Sequence, residues 1–303
     1  MVVNFAKREY YFGFAPERVM KFECLVENEV GHVGGAESYF TQLTVEASKI
    51  VELSSAVSEP NPLEEVLYEF SGLFSGQLGT IKGAEYETEL LDHVPVRSPP
   101  YQCAPPKLKL LKEFVDDLLT KGVVRPSKSP YASPAFLLPK SGGGYRMVVD
   151  YRKVNKICFD SYPLPTLEFA FQQFSDATVF SVLDLNSAYY QVPLTSQSRR
   201  VTAFCTLFGL FEFEKLPMGI SVGCQGLSCV VDNLFSDLKG NYVFNYLDDL
   251  VIYSATVSKH KEHLREVLTR LQDAGFTLNK EKVVLAASEL SIWGTICQLE
   301  GLE

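Results

Sequence analysis

The chain has 303 residues, 46% hydrophobic and 21% charged, the balance of a folded globular protein with room for one large domain or two modest ones, which excludes a disordered chain. Lys7, Arg8 and Glu9 stand where a secretory leader would need its apolar stretch, and no run of about 18 uncharged apolar residues occurs, so neither a leader nor a membrane span is expected. The net charge of −9 comes from residues 1–100, which hold 7 Lys/Arg against 16 Asp/Glu, so the remaining residues are neutral and nucleic-acid binding stays open.

In chain order, Tyr10, Tyr11, Phe12 and Phe14, and the stretch Lys21-Phe22-Glu23-Cys24-Leu25-Val26, predict short strands in an appended segment. Ser54 to Asn61 reads as a linker. Asn61-Pro62 supplies an N-cap and a first-turn proline, and Leu63, Val66, Leu67 and Phe70 fall on one helical face. Prolines clustered from Val94 to Pro106 predict extended chain. A second helix after Pro106 carries Leu108, Leu111, Val115, Leu118 and Leu119, with Gly122 as its stop. From Ala135 to Val149, two β-rich runs flank Ser141-Gly142-Gly143-Gly144 and predict a hairpin with a mobile tip. Leu167, Ala170, Phe171 and Phe174 predict a further helix. Thr178 to Leu185 predicts an apolar strand ending at Asp184, and Tyr242 to Tyr253 two half-strands around Asp248-Asp249. Ser258 is expected to cap a helix carrying Leu264, Val267, Leu268 and Leu271 and stopped by Gly275. His260 and His263, three apart on that charged helix, are expected to face solvent rather than hold a metal. Strands interleaved with helices give an α+β or α/β class. The seven cysteines are odd in number and never spaced C-x-x-C, and read as reduced thiols of an intracellular protein.

The chemistry concentrates in Val243 to Tyr253, where two adjacent carboxylates interrupt apolar strand sequence. A tight hairpin asks for Asn-Gly or Asp-Gly at its centre, so Asp-Asp suits the turn poorly, and like charges side by side repel. A solvated turn would explain the pair by itself. Asp184 changes the balance, because it ends another apolar strand, where a charge has no packing role. Three such carboxylates suit a divalent cation and two-metal phosphoryl transfer.

These residues carry a resemblance. Glu64 to Gly79, Gly122-Val123-Val124-Arg125-Pro126-Ser127, Ser129 to Pro134, Tyr145 to Lys156, Tyr162-Pro163-Leu164-Pro165, Leu183-Asp184-Leu185 with Ala188-Tyr189, Thr202-Ala203-Phe204 and Tyr246-Leu247-Asp248-Asp249 occur in the order found in reverse transcriptases. Over roughly residues 62–303 the chain resembles the reverse transcriptase of gypsy-type long-terminal-repeat retrotransposons, a domain of their Pol polyprotein. The resemblance implies an α+β right-hand polymerase, with fingers over about 61–159 and 192–222 and palm over about 160–191 and 223–303. Residues 1–60 would be a polyprotein spacer, and the thumb is expected to be absent. It further implies RNA-directed DNA synthesis with Mg²⁺, for which Mn²⁺ can substitute. Asp184, Asp248 and Asp249 would be the catalytic, metal-binding triad, and the Leu185 backbone would help hold one ion. Lys140, Arg146, Ala188, Tyr189 and Gly219 would bind the nucleotide. The two cations would grip its triphosphate, and Tyr189 would exclude a ribose 2′-hydroxyl. From the residues alone, Arg146 has the alternative of a strand-surface cation, which the Asp triad weighs against, and Tyr189 is equally a half-buried core tyrosine. Trp293-Gly294 would position the primer end, with Trp293 in place of a leucine, although a lone Trp is more often core than contact. The implied partners are an RNA or DNA template with primer and deoxynucleoside triphosphates, with no membrane, in the cytoplasm or nucleus. Nothing in the sequence signals an oligomeric state.

One block departs from the family's usual G-L-x-N-A-P-x-x-F-Q. Here Gly219 to Ser228 carries Val222, Cys224, Leu227 and Ser228 at the asparagine, proline, phenylalanine and glutamine positions, and Leu207 replaces another proline. This reads as a loop loosened by the lost proline and by Gly223 and Gly226. It keeps open a second reading, a non-catalytic remnant that binds nucleic acid or protein.

Overall fold

A computed structural model of the chain describes residues 2–4, 9–12, 15–21, 63–140, 142–159, 162–163, 173–174, 176–246, 249–287, 289–292 and 295–298. Strands β1 (Val2–Asn4), β2 (Glu9–Phe12) and β3 (Ala15–Lys21) open the chain. Helix α1 spans Glu64–Glu69, with Leu63 at its N-cap. The expected cap at Asn61-Pro62 lies outside the described residues. Leu63 and Val66 are fully buried and Leu67 and Phe70 partly so, as the spacing requires. Strand β4 (Glu89–Leu90) precedes extended chain, and helix α2 (Pro105–Thr120) takes both prolines into its first turn, where a missing N–H costs nothing. It buries Leu111 and Val115 and ends before Gly122 at φ 65°.

Strands β5 (Val124–Pro126), β6 (Ser133–Pro139) and β7 (Tyr145–Val149) follow, and β6–β7 is the expected hairpin, with Pro139 opposite Tyr145 and Gly143 and Gly144 at positive φ in its tip. Ser141 lies outside the described residues, as do Leu167, Ala170 and Phe171 of the predicted helix. Then come β8 (Cys158–Phe159), β9 (Val179–Asp184), α3 (Ser196–Val201), β10 (Phe204–Thr206), β11 (Gly209–Phe213) and α4 (Gly223–Leu234). Strands β12 (Val243–Tyr246) and β13 (Asp249–Ser254), α5 (Val257–Ala274), β14 (Val284–Ala287), β15 (Glu289–Ile292) and β16 (Thr295–Gln298) complete the order.

Two sheets position the site. One has the order β5-β11-β10-β6-β7, with β10 and β6 parallel and the other pairs antiparallel. The other is antiparallel, in the order β12-β13-β9-β14. Strands β4 and β8 form a ribbon, and β1-β2-β3-β16-β15 a further sheet.

In the four-stranded sheet, strand alternation sends Leu183, Leu250 and Ile252 into the main core, with Leu264, Val267, Leu268 and Leu271 of α5. The intervening Phe180, Val251 and Tyr253 pack with Phe244 and Phe174, whose ring meets those of Phe180, Phe244 and Tyr253 edge-on at 5.1–5.6 Å. With both faces covered, the strands read as continuous apolar runs.

Three expectations change. The cap of α5 is Thr256, whose hydroxyl accepts from the Lys259 N–H at 3.3 Å, and Ser258 lies inside the first turn. Gly275 ends the helix at φ 85°, as expected. His260 does not face solvent. It is fully buried, with Nε2 2.8 Å from Ser181 Oγ on β9 and Nδ1 2.9 Å from Ser254 Oγ on β13. His263 stacks on Tyr242, ring centroids 3.7 Å apart. Both rings sit on the inner side of α5 because the hydroxyls of two neighbouring strands need partners there.

The third change concerns 219–228, which is a loop only as far as Val222; from Gly223 onward it is α4. Its glycines are not slack. A Cβ on Gly226 would lie 2.8 Å from the Tyr86 ring, and one on Gly223 3.5 Å from Tyr189. Val222 and Leu227 are buried core residues.

Candidate active site

Strands β9 and β13 pair so that Asp249 stands directly opposite Asp184, at the end of the sheet. Alternation puts both on the face that carries Phe180, Val182, Val251 and Tyr253. Directly opposed residues of an antiparallel pair have Cβ atoms roughly 5 Å apart, so two carboxylates share one small volume. Tyr246 pairs directly with Asp249, the first residue of β13. Asp249 is therefore a strand residue with its side chain fixed by the sheet. Asp248 lies outside the described residues, as do Trp293 and Gly294.

Asp184 has a side chain 14% exposed, and its Oδ2 accepts from Lys282 Nζ at 3.0 Å. Leu185 follows, buried, and bridges Leu278. The flanking hydrogen bonds of that bridge use the Asn186 N–H, which donates to the Thr277 carbonyl at 3.0 Å, and the Asp184 carbonyl, which accepts from the Asn279 N–H at 2.9 Å. The Leu185 carbonyl stands outside this ladder. Ser187 holds φ 51°, an unusual conformation for a non-glycine residue, and starts a 3₁₀ turn over Ala188–Gln191. That turn presents Ala188, buried, and Tyr189, half-buried, whose hydroxyl lies 3.2 Å from Cys224 Sγ on α4.

Gly219, at φ 90°, is held from across the chain. Asn155 Nδ2 donates to the Gly219 carbonyl at 3.1 Å, and Asn155 Oδ1 accepts from the Ser221 N–H at 2.9 Å. Lys140 and Arg146 belong to the other sheet. Arg146 stands opposite Leu138 on the β6–β7 hairpin, half-buried, with Nε lacking an acceptor among the described residues; Lys140 is exposed at the end of β6. The structure thus sets Asp184 and Asp249 opposite each other on paired strands, with Leu185 and the turn that carries Tyr189 directly after Asp184 in the chain, and keeps the two cations on a separate hairpin.

Sequence reading missed Lys282, Asn155 and Gln191. Gln191 is fully buried; its amide donates to the carbonyls of Asn186 at 2.7 Å and Thr277 at 2.9 Å, clamping the turn that carries Tyr189. Asn155 lay inside a quoted block with no role given, and the Asn279-x-x-Lys282 spacing after Gly275 is the signal that points to Lys282.

The donor set suits Mg²⁺ or Mn²⁺. Asp184 and Asp249 offer carboxylate oxygens, hard ligands with no thiol or imidazole between them. Among the described residues no three His, Cys, Asp or Glu side chains converge on one point; the third carboxylate of the expected set, Asp248, lies outside them.

Comparison with known proteins places the fold. A family profile described as "Reverse transcriptase (RNA-dependent DNA polymerase)" matches residues 138–297. The Transposon Tf2-3 polyprotein of Schizosaccharomyces pombe is 29% identical over 293 residues, which cover 91% of this chain and 22% of that protein. The chain therefore spans under a quarter of the curated relatives it matches. Among solved structures, the foamy viral protease-reverse transcriptase in complex with RNA/DNA hybrid superposes with a TM-score of 0.68 at 24% identity, covering 76% of this chain and 31% of that one. Its complex with dsDNA gives 0.66 at 25% identity, covering 79% and 49%. The mixed α+β architecture is that of their fingers and palm, and this chain belongs to the reverse transcriptase (RNA-dependent DNA polymerase) family.

Proposed function

We propose that the chain is the fingers and palm of a retrotransposon reverse transcriptase of gypsy type, an RNA-directed DNA polymerase made as part of a longer Pol polyprotein. Residues 1–60 are then a spacer, 61–159 and 192–222 the fingers, and 160–191 and 223–303 the palm. The observation that carries this is the register of Asp184 against Asp249 at a sheet end. It is supported by the ordered motifs and by a transposon polyprotein aligned along 91% of the chain.

Asp184, Asp249 and Asp248, with the Leu185 carbonyl, would hold Mg²⁺ or Mn²⁺. When bound, such ions make a 3′-hydroxyl a better nucleophile and neutralise a triphosphate leaving group. The chain's own residues do the rest. Arg146, whose Nε has no acceptor among the described residues, and Lys140 offset charge on the incoming nucleotide from the hairpin above. Tyr189, braced at Cys224 and by the Gln191 clamp, floors the sugar site beside Ala188 and favours deoxynucleotides. Gly219, fixed by Asn155, brings bare backbone to the pocket edge. Trp293-Gly294 would seat the primer end. The partners are an RNA or DNA template with its primer and deoxynucleoside triphosphates, and the foamy viral relatives are solved with RNA/DNA hybrid and with dsDNA. No helix of the described residues is long and apolar enough to cross a membrane, and the work would be done in the cytoplasm or nucleus.

The rival reading, a non-catalytic remnant, drew on the altered 219–228 block. Buried Val222 and Leu227, and Gly226 packed on Tyr86, support a repacked segment over a decayed one. Primer extension decides between them. With Mg²⁺ or Mn²⁺, wild type should extend oligo(dT) on poly(rA), and Asp184→Asn should lose at least about a hundredfold in rate, the scale of removing one electrostatic stabiliser. A wild type that never extends the primer, or an Asp184→Asn protein as active as wild type, overturns the catalytic reading.

A further inference from the structure

We propose that Lys282 is a built-in counter-ion of the cation site. Before a cation binds, its ammonium neutralises Asp184, and a divalent ion must displace it to reach Asp184 and Asp249. The inference rests on the reading of the aspartate pair as a divalent-cation site.

Placement is the first observation. Lys282 Nζ donates to Asp184 Oδ2 at 3.0 Å, on the side chain that faces Asp249 across the ladder. The lysine is also delivered there by backbone. The Asn279 N–H donates to the Asp184 carbonyl at 2.9 Å, and the Lys282 N–H donates to the Asn279 carbonyl at 3.2 Å. Asn279 Oδ1 accepts from the Glu281 N–H at 3.2 Å and starts the 3₁₀ turn Lys280–Lys282. The turn is thus hung on the peptide of the very aspartate its last residue neutralises.

The second observation is the asymmetry of exposure. The Asp184 side chain is 14% exposed and that of Lys282 56%. The carboxylate is fixed by the sheet, whereas the ammonium is a hydrated point charge on a flexible four-carbon stem that can swing into water. An arginine fork would hold both carboxylate oxygens and release them less readily. Lysine therefore suits a partner that is meant to leave. Because the pair is open to water, it weakens cation binding only about two- to fivefold, the effect of a half-exposed ion pair.

Calorimetric titration of Mn²⁺ into the full chain, without nucleotide, tests this. Lys282→Met should bind about two- to fivefold more tightly than wild type and melt at a lower temperature before the cation is added. Lys282→Gln should follow Lys282→Met, and Lys282→Arg should bind no more tightly than wild type. Circular dichroism establishes that each variant is folded. Folded Lys282→Met and Lys282→Gln proteins with wild-type or weaker Mn²⁺ affinity would overturn the counter-ion role and leave the functional reading standing. Mn²⁺ binding by wild type that is indifferent to Asp184→Asn would overturn both.

Discussion

His260 bridges Ser181 and Ser254, so its ring ties α5 to the two central strands of the sheet that ends in the aspartate pair. Burial, with the neighbouring His263 second, pushes its pKa from the usual 6.5 down to about 4. Burial also lowers His263. Between pH 4 and 6.5 the unfolded chain therefore binds a proton that the folded chain refuses. The stabilisation is complete above about pH 6.5 and is lost as pH falls through 4, on the order of 3 kcal/mol in all. Urea denaturation from pH 7.5 to 4 should show that decline in wild type. His260→Leu should start lower, because Ser181 and Ser254 each lose one of the hydrogen bonds at their hydroxyls, and should fall less steeply. Equal slopes in the two proteins would mean that His260 is not the titrating group. The charged helix sequence hid this ring, since only tertiary packing turns position 260 inward. Asp184 and Asp249 were legible because a charge ending an apolar strand has no packing reason to be there. Lys282 was missed because only the turn hung on the Asp184 carbonyl brings this surface lysine to the site, and the Asn279-x-x-Lys282 spacing is its sole local mark.

At the scale of elements, α4 shows where local propensity misleads. Gly223, Cys224 and Gly226 within four residues, with Val222 and not a capping Ser, Thr, Asp or Asn immediately ahead, read as loop; the N-cap is Val222. Close packing decides otherwise. Tyr86 lies over Gly226 and its hydroxyl donates to the Val222 carbonyl at 3.3 Å, so the lead-in segment fixes the start of the helix. Gly226→Ala should then cost about 1–3 kcal/mol by overpacking against the Tyr86 ring, despite the better helix propensity of alanine. Gly223→Ala, whose nearest neighbours would be 3.3–3.5 Å away, should stay within about 1 kcal/mol of wild type. Thermal denaturation of the two variants checks this, and equal losses would mean that Tyr86 moves aside. The β12–β13 hairpin was legible as a hairpin. Its register was not, because a two-residue slip in the turn cannot be seen in a sequence that is apolar on both sides of Asp248-Asp249.

Over the whole molecule, the lead-in segment is sewn to the four-stranded sheet. The Leu278 N–H donates to the Leu73 carbonyl, Thr80 to Gly275 and Ile81 to Gln191, while Arg265 pairs with Glu69. The order of the motifs made this architecture legible, whereas the seam depends on contacts about 200 residues apart in the chain. The central claim is that the Asp184–Asp249 sheet end is the cation site of a template-directed polymerase. Diffraction from the chain crystallised with an RNA template, a dideoxy-terminated DNA primer, the matching deoxynucleoside triphosphate and Mn²⁺ tests it directly. The account predicts anomalous manganese density touching the carboxylates of both Asp184 and Asp249, with the sugar of the nucleotide against Tyr189 and its triphosphate toward Arg146. Manganese elsewhere, or a duplex bound on another face with no density at the aspartates, would contradict it.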